Sequence, residues 1–220
     1  MPTPSPTTTA APTLTPAPTA TPVISTTGAC GDAAFTLNGI RWTESFWWYF
    51  NADSVPEKYD PVAVLNVVRR AFDNITGAAN DCGFPDRVSS PAIFRGITEE
   101  EPCGPSTTRN VVGFGKLSGE GRDTIALMCP FGTADRTYFA HIILRTRVAW
   151  ALSTDTCRGE QELLEPTLTH EIGHAFGLGH VGEGRHGDLT MSTRSNGPCH
   201  DEESTLGLGD VLGLEELYGP

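Results

Sequence analysis

Between residues 60 and 77 the apolar positions Val64, Val68, Ala71, Phe72 and Ile75 recur at intervals of three and four, the period of a helix with one buried face. Asp60-Pro61 supplies a start, because aspartate caps free N–H groups and proline suits the first helical position. Gly77 supplies a stop. Upstream, the aromatic run "SFWWYFN" (45–51) reads as a strand. Downstream, "PAIFRGI" (91–97), "NVVGFGKL" (110–117), "TIALMCPF" (124–131) and "YFAHIILRT" (138–146) are short apolar runs separated by turn-rich stretches. Two more helices are expected, one from about Pro166 to Phe176 and one at 209–219. The order strand, helix, four strands, helix, irregular segment, helix implies an α/β or α+β domain, a twisted sheet backed by helices.

Composition divides the chain. No charged side chain occurs from Met1 to Gly31, and "MPTPSPTTTAAPTLTPAPTATP" is almost only Pro, Thr and Ala. Such a segment has too little apolar surface to offset its ordering entropy, so residues 1–29 are expected to be an extended tail. A spacer or O-glycosylated stalk and a bare linker are equally weighted for it. Residues 30–220 then form the folded domain. The formal charge of −12 argues against a nucleic-acid partner. Cys30, Cys82, Cys103, Cys129, Cys157 and Cys199 are scattered without a CxxC pair, which points to disulfides and an oxidising compartment. The sequon Asn74-Ile75-Thr76 is compatible with that. No apolar run is long enough to span a membrane, and no signal peptide is visible before the Pro/Thr tract.

Three of the six histidines fall within "HEIGHAFGLGH" (170–180). On a helix His170 and His174, four apart, share a face, while Leu168, Ile172, Ala175 and Phe176 form the opposite, apolar side. Two such imidazoles can bind one metal ion, and Glu171 can lean over the same ion. Gly177 can adopt a positive φ, so the chain can leave the helix sharply and return His180 as a third ligand. Three neutral nitrogens leave a fourth position open, as a catalytic zinc site needs, and zinc is the favoured ion. A histidine pair at this spacing is often a surface accident. The further requirement of Gly177 and His180 makes accident far rarer. His141 is expected to be a strand residue, and His186 and His200 to be isolated surface positions.

The pattern H-E-x-x-H-x-x-G-x-x-H, followed here by "LTMS" with Met191, is the metzincin signature. Within that group the chain most resembles a matrixin of the bacterial secreted type. "LGLGDVLGLEELYG" is similar to the matrixin closing helix, with Leu206, Asp210, Gly213 and Leu217-Tyr218-Gly219 in matching places. "SFWWYFN", "RRAFDNIT" and "FAHIILRTRVAW" also resemble matrixin segments. The resemblance covers about residues 40–220. It departs at Val181, where serine is usual, in a longer His180–Met191 segment, and in lacking the structural-zinc loop of animal matrixins. It implies a five-stranded mixed sheet with three helices, an active-site helix and a methionine turn. The fourth strand, "TIALMCPF", would be an edge beside the substrate cleft. It also implies that Met191 lies beneath the metal as a packing floor, not a ligand, and that calcium is a second bound ion.

These readings together predict a secreted, monomeric zinc endopeptidase acting on protein or peptide substrates. His170, His174 and His180 would hold the metal, and Glu171 would be the general base for a metal-activated water. The rivals are a non-catalytic zinc-containing binding or adhesion module and a zinc hydrolase of non-peptide substrates. "NDCGFPDRV" resembles the matrixin cysteine switch, but Asp81 stands where arginine is expected and the first helix precedes it. Cys82 is therefore expected in a disulfide, with Cys103 as favoured partner, and Cys157 is expected to pair with Cys199. Spacing alone leaves fifteen pairings open.

Overall fold

The stripe on residues 61–76 and the alternation at 46–50 meet in one core, and the rest of the chain is arranged around that contact. The structure, a computed structural model, describes residues 1, 25–105, 107–117, 119–121, 123–133, 136–194 and 197–220. Most of the Pro/Thr tail, residues 2–24, lies outside the described residues. Among the described residues, the Ser25 N–H donates to the Cys82 carbonyl at 3.0 Å. The regular elements are β1 (Thr36–Leu37), β2 (Phe46–Phe50), α1 (Pro61–Thr76), β3 (Ala92–Ile97), β4 (Asn110–Gly115), β5 (Ala126–Thr133) and β6 (Arg136–Arg145). Then come β7 (Trp150–Ala151), β8 (Glu162–Leu163), α2 (Leu164–Ala175), β9 (Leu178–Gly179), α3 (Glu183–His186) and α4 (Leu208–Tyr218).

Five strands form a mixed sheet in the order β3-β2-β4-β6-β5. Its first four strands are parallel to one another, and β5 runs antiparallel to β6 at the open edge. That matches the expected α+β class and the edge position of the 124–131 run. Pro130 sits on this edge strand with the same parity as Met128, whose N–H points away from the ladder to Glu171, so the missing donor costs no sheet hydrogen bond. Two small pairs, β1 with β9 and β7 with β8, were not foreseen. Strands of two residues have no readable period.

One face of the sheet takes α1 and α2. Val64, Val67, Val68, Ala71, Phe72 and Ile75 of α1 are buried against Phe46, Trp48 and Phe50 of β2. The Trp48 and Phe72 rings stack at 4.4 Å. Trp47, on the opposite parity, is 52% exposed, as a two-residue side-chain period requires. Asp60 caps α1 by accepting from the Val62 N–H at 3.0 Å. The helix ends at Gly77 as expected, but Ala78, at φ 43°, takes the left-handed position. The sequon asparagine Asn74 lies inside α1, where its side-chain amide donates to the Ser204 carbonyl at 2.8 Å.

The disulfides are Cys30–Cys82, Cys103–Cys129 and Cys157–Cys199. The last agrees with expectation. The Cys82–Cys103 pairing does not form: Cys82 instead ties the N-terminal segment to the turn after α1, and Cys103 is clipped to the edge strand β5 through Cys129. Even spacing cannot foresee this, because pairing follows from which loops the sheet order brings together. His141 is a buried β6 residue, 0% exposed, whose ring nitrogens have no hydrogen-bond partner; the edge of its ring meets Phe131. Burial pushes its pKa down to about 4, against a smaller upward pull from Glu100.

Non-reducing peptide mapping is expected to recover these three linked pairs, and Cys103→Ser with Cys129→Ser should lower unfolding free energy by about 2–4 kcal/mol in urea melts. His141 makes stability sensitive to acid. Its folded pKa lies below the unfolded value of 6.5, so the unfolded chain binds more protons between about pH 6.5 and 4 and stability falls as pH falls through that window. His141→Leu should flatten that part of the stability-versus-pH curve relative to wild type.

Candidate metal centre

α2 begins at Leu164, two residues before the expected Pro166. Pro166 falls in the first turn, where its missing N–H would have had no intrahelical partner. Thr167 and Thr169 return their hydroxyls to the carbonyls of Leu163 and Glu165. Leu168, Ile172 and Ala175 are buried in the core, so the opposite face, with His170 and His174, is turned outward. The helix stops at Phe176, and Gly177 takes φ 101°. The strand β9 then carries the chain back to His180.

The structure brings the three predicted histidines together. The Nε2 atoms of His170 and His174 lie 3.1 and 3.0 Å from Nε2 of His180, and all three ligand atoms lie within 4.8 Å of one another. Two nitrogens held 2.0–2.1 Å from one tetrahedral ion would be separated by about 3.3 Å. The tautomers fit as well. Nδ1 of His170 donates to the Thr190 carbonyl at 2.7 Å, and Nδ1 of His174 donates to the Leu178 carbonyl at 2.9 Å. A carbonyl can only accept, so in the neutral rings both Nε2 atoms present lone pairs. His180 can donate to one of them at most. An ion between the rings satisfies all three, so the group could hold a metal ion. His170 and His174 are half-buried and His180 is exposed, which leaves the cluster open on one side.

Electrostatics favour neutral rings. Burial, then the neighbouring histidines, push His170 down to about 3, against an upward pull from its Thr190 hydrogen bond. Burial pushes His174 down to about 4, with His180 adding to the effect and the Leu178 bond opposing it. Burial also lowers His180. Glu171 is 8% exposed. Burial raises its carboxyl to about 8, while the Met128 N–H of β5 donates to it and pulls the other way. A cation among the rings would favour the carboxylate.

Two supports carry no signal in the histidine motif itself. Asp210, in the first turn of α4, is 1% exposed. Its carboxylate accepts from the N–H groups of Thr190, Met191 and Gly207 at 3.0, 3.2 and 3.0 Å. This fixes the turn whose Thr190 carbonyl orients His170. Met191, 2% exposed, packs under α2, and a Cβ at Gly173 would lie 2.5 Å from its sulfur. Gly173 therefore lets the turn approach the helix. A lone acidic residue in the apolar first half of the helix was the readable hint of Asp210. The other histidines stay apart from the cluster. His186 is half-buried and its Nδ1 lies 2.7 Å from Asp32, while exposed His200 lies 3.1 Å from Glu202.

No family model and no curated protein matches the chain.

Asp210→Ala would leave three backbone N–H groups without their acceptor, two of them in the turn beneath His170. The expected loss is more than about 3 kcal/mol of folding stability in urea, with metal affinity weakened about tenfold or more in a chelator competition titration. Asp210→Asn, which keeps one acceptor oxygen, should fall between the two.

Proposed function

We propose that the chain is a secreted zinc-dependent endopeptidase of the metzincin type, most similar to a matrixin. The observation that carries this reading is the convergence of three histidine Nε2 atoms beside a buried carboxyl group on the helix of His170 and His174. The exposed side of the cluster supplies the open position, and a purely structural zinc usually has four protein ligands. The three disulfides suit an oxidising compartment. No helix among the described residues is long and apolar enough to cross a membrane. Calcium enters only through the resemblance, since no acidic trio converges among the described residues as the histidines do.

On this reading His170, His174 and His180 hold the ion. Bound zinc would supply Lewis acidity toward a scissile carbonyl and make water acidic enough to lose a proton near neutrality. Glu171 takes the proton of the attacking water and later delivers it to the leaving amine. Its place suits it to both tasks, next to His170 in the chain and held by the Met128 N–H. β5 is the antiparallel edge strand of the sheet, and a peptide could add to it as a further strand. Glu171 is hydrogen-bonded to Met128 of that strand, which sets the proton acceptor beside the edge. Met191 stays a packing floor without a bond to the ion.

The test is cleavage of a fluorogenic peptide library by the metal-loaded chain, by the chelated chain and by Glu171→Ala. Wild type should cleave and lose activity on chelation. Glu171→Ala should retain about one metal ion per chain by mass spectrometry while turnover drops about 100-fold or more. Undiminished cleavage by Glu171→Ala would refute the mechanism. Metal binding without any peptide cleavage by wild type would favour the binding-module reading.

A further inference from the structure

The backbone between the second and third histidines is held from outside, by the N-terminal segment. β1 pairs antiparallel with β9, Thr36 opposite Gly179 and Leu37 opposite Leu178. The Thr36 hydroxyl donates to the His180 carbonyl at 2.8 Å. The Asn38 N–H donates to the Gly177 carbonyl at 2.9 Å. The side-chain amide of Asn38 donates to the carbonyls of His174 and Leu178 at 2.8 and 3.0 Å. Its oxygen accepts from the Ile40 N–H at 3.0 Å, which fixes the orientation of the amide, since the flipped group would set oxygen against two carbonyls. Trp42 completes the series, its indole N–H reaching the Ala175 carbonyl at 2.7 Å. The strap thus supplies donors to the carbonyls left over where α2 ends and the chain turns.

We infer that Thr36 and Asn38 are positioning residues for the metal centre: they hold the 174–180 backbone in the path that returns His180 to His170 and His174. This rests on the metal reading above. The Leu178 carbonyl that takes the Asn38 amide is the same one that takes Nδ1–H of His174 and so directs the Nε2 lone pair of that ring. The strap also accounts for the two glycines of the segment. A Cβ at Gly177 would collide with the Ile40 carbonyl, and one at Gly179 would lie 2.5 Å from the Thr36 hydroxyl oxygen. Hence the spacing of the motif reflects close passage of a second chain segment as well as a turn. The upstream end of the strap is anchored by Cys30–Cys82, by Asp32 with His186 at 2.7 Å, and by the Gly209 N–H donating to the Asp32 carbonyl at 2.8 Å.

The experiment compares the full chain with Thr36→Val, Thr36→Ser and Asn38→Ala. Its readouts are zinc affinity by chelator competition, the visible spectrum of the cobalt-substituted chain, and thermal melting of the metal-free form. Thr36→Val and Asn38→Ala should weaken zinc binding about tenfold, the low end for an outer-shell partner because water reaches the strap. They should also change the cobalt bands. Thr36→Ser keeps the hydroxyl and should match wild type. Melting temperatures that fall while zinc affinity and cobalt bands stay those of wild type would mean a merely structural strap and overturn the inference. Should Asn38→Ala not fold, the near-isosteric Thr36→Val against Thr36→Ser decides alone. A wild-type chain that holds no divalent ion overturns the metal reading and the inference together, whereas tight binding by wild type and Thr36→Val alike overturns the inference only.

Discussion

The Nε2 atoms of His170 and His174 lie 3.1 and 3.0 Å from that of His180, an arrangement that a single N–H can satisfy only once and that a cation between the rings satisfies throughout. The local structure around them serves to maintain that arrangement. His170 is aimed by a carbonyl from the turn before Met191, and His174 by a carbonyl from the turn that follows its own helix. Because both Nδ1 atoms are committed to carbonyls, the free lone pairs are directed inward whether or not an ion is bound. Such pre-organisation costs stability in the metal-free chain and is recovered when a cation enters.

Two clamps meet at this point from different parts of the fold. Below α2, the buried Asp210 carboxylate gathers three backbone N–H groups and fixes the turn that carries Thr190 and Met191. Beside it, the segment from Thr36 to Trp42 covers the carbonyls left open at the end of α2. Neither clamp touches the histidine nitrogens. Both work by removing alternative paths for the backbone, which is how partners beyond the ligands tune a metal site. The disulfides act on a larger scale: Cys30–Cys82 holds the strap's origin, and Cys103–Cys129 holds a loop to the edge strand. The large apolar contact between β2 and α1 supplies the rigid base for these supports.

The edge strand lies against the helix that carries the histidine pair. β5 is the antiparallel member of an otherwise parallel sheet, and among the described residues one side of it has no strand partner. Glu171 reaches that side through Met128. A carboxyl group, a cluster of neutral imidazoles and a free strand edge therefore share one rim of the sheet, the combination on which the proposed peptide hydrolysis depends.

The sequence by itself determined the large elements and the histidine cluster. The stripe on α1 and the strand at 46–50 were legible because one face of each is buried and burial imposes a period, and the four later strands because they are apolar runs bounded by turn-rich stretches. The spacing of His170, His174 and His180 was legible because a helix followed by a glycine turn converts spacing into direction. Other features depended on tertiary structure alone: Cys82 bonds Cys30, not Cys103, Asp210 supports a turn 19 and 20 residues earlier, and Asn38 reaches carbonyls 136 and 140 residues away. These contacts join segments far apart in the chain, through single polar residues or cysteines that repeat with no period. Local pattern reports which face of an element is buried, but not which distant segment is folded against it.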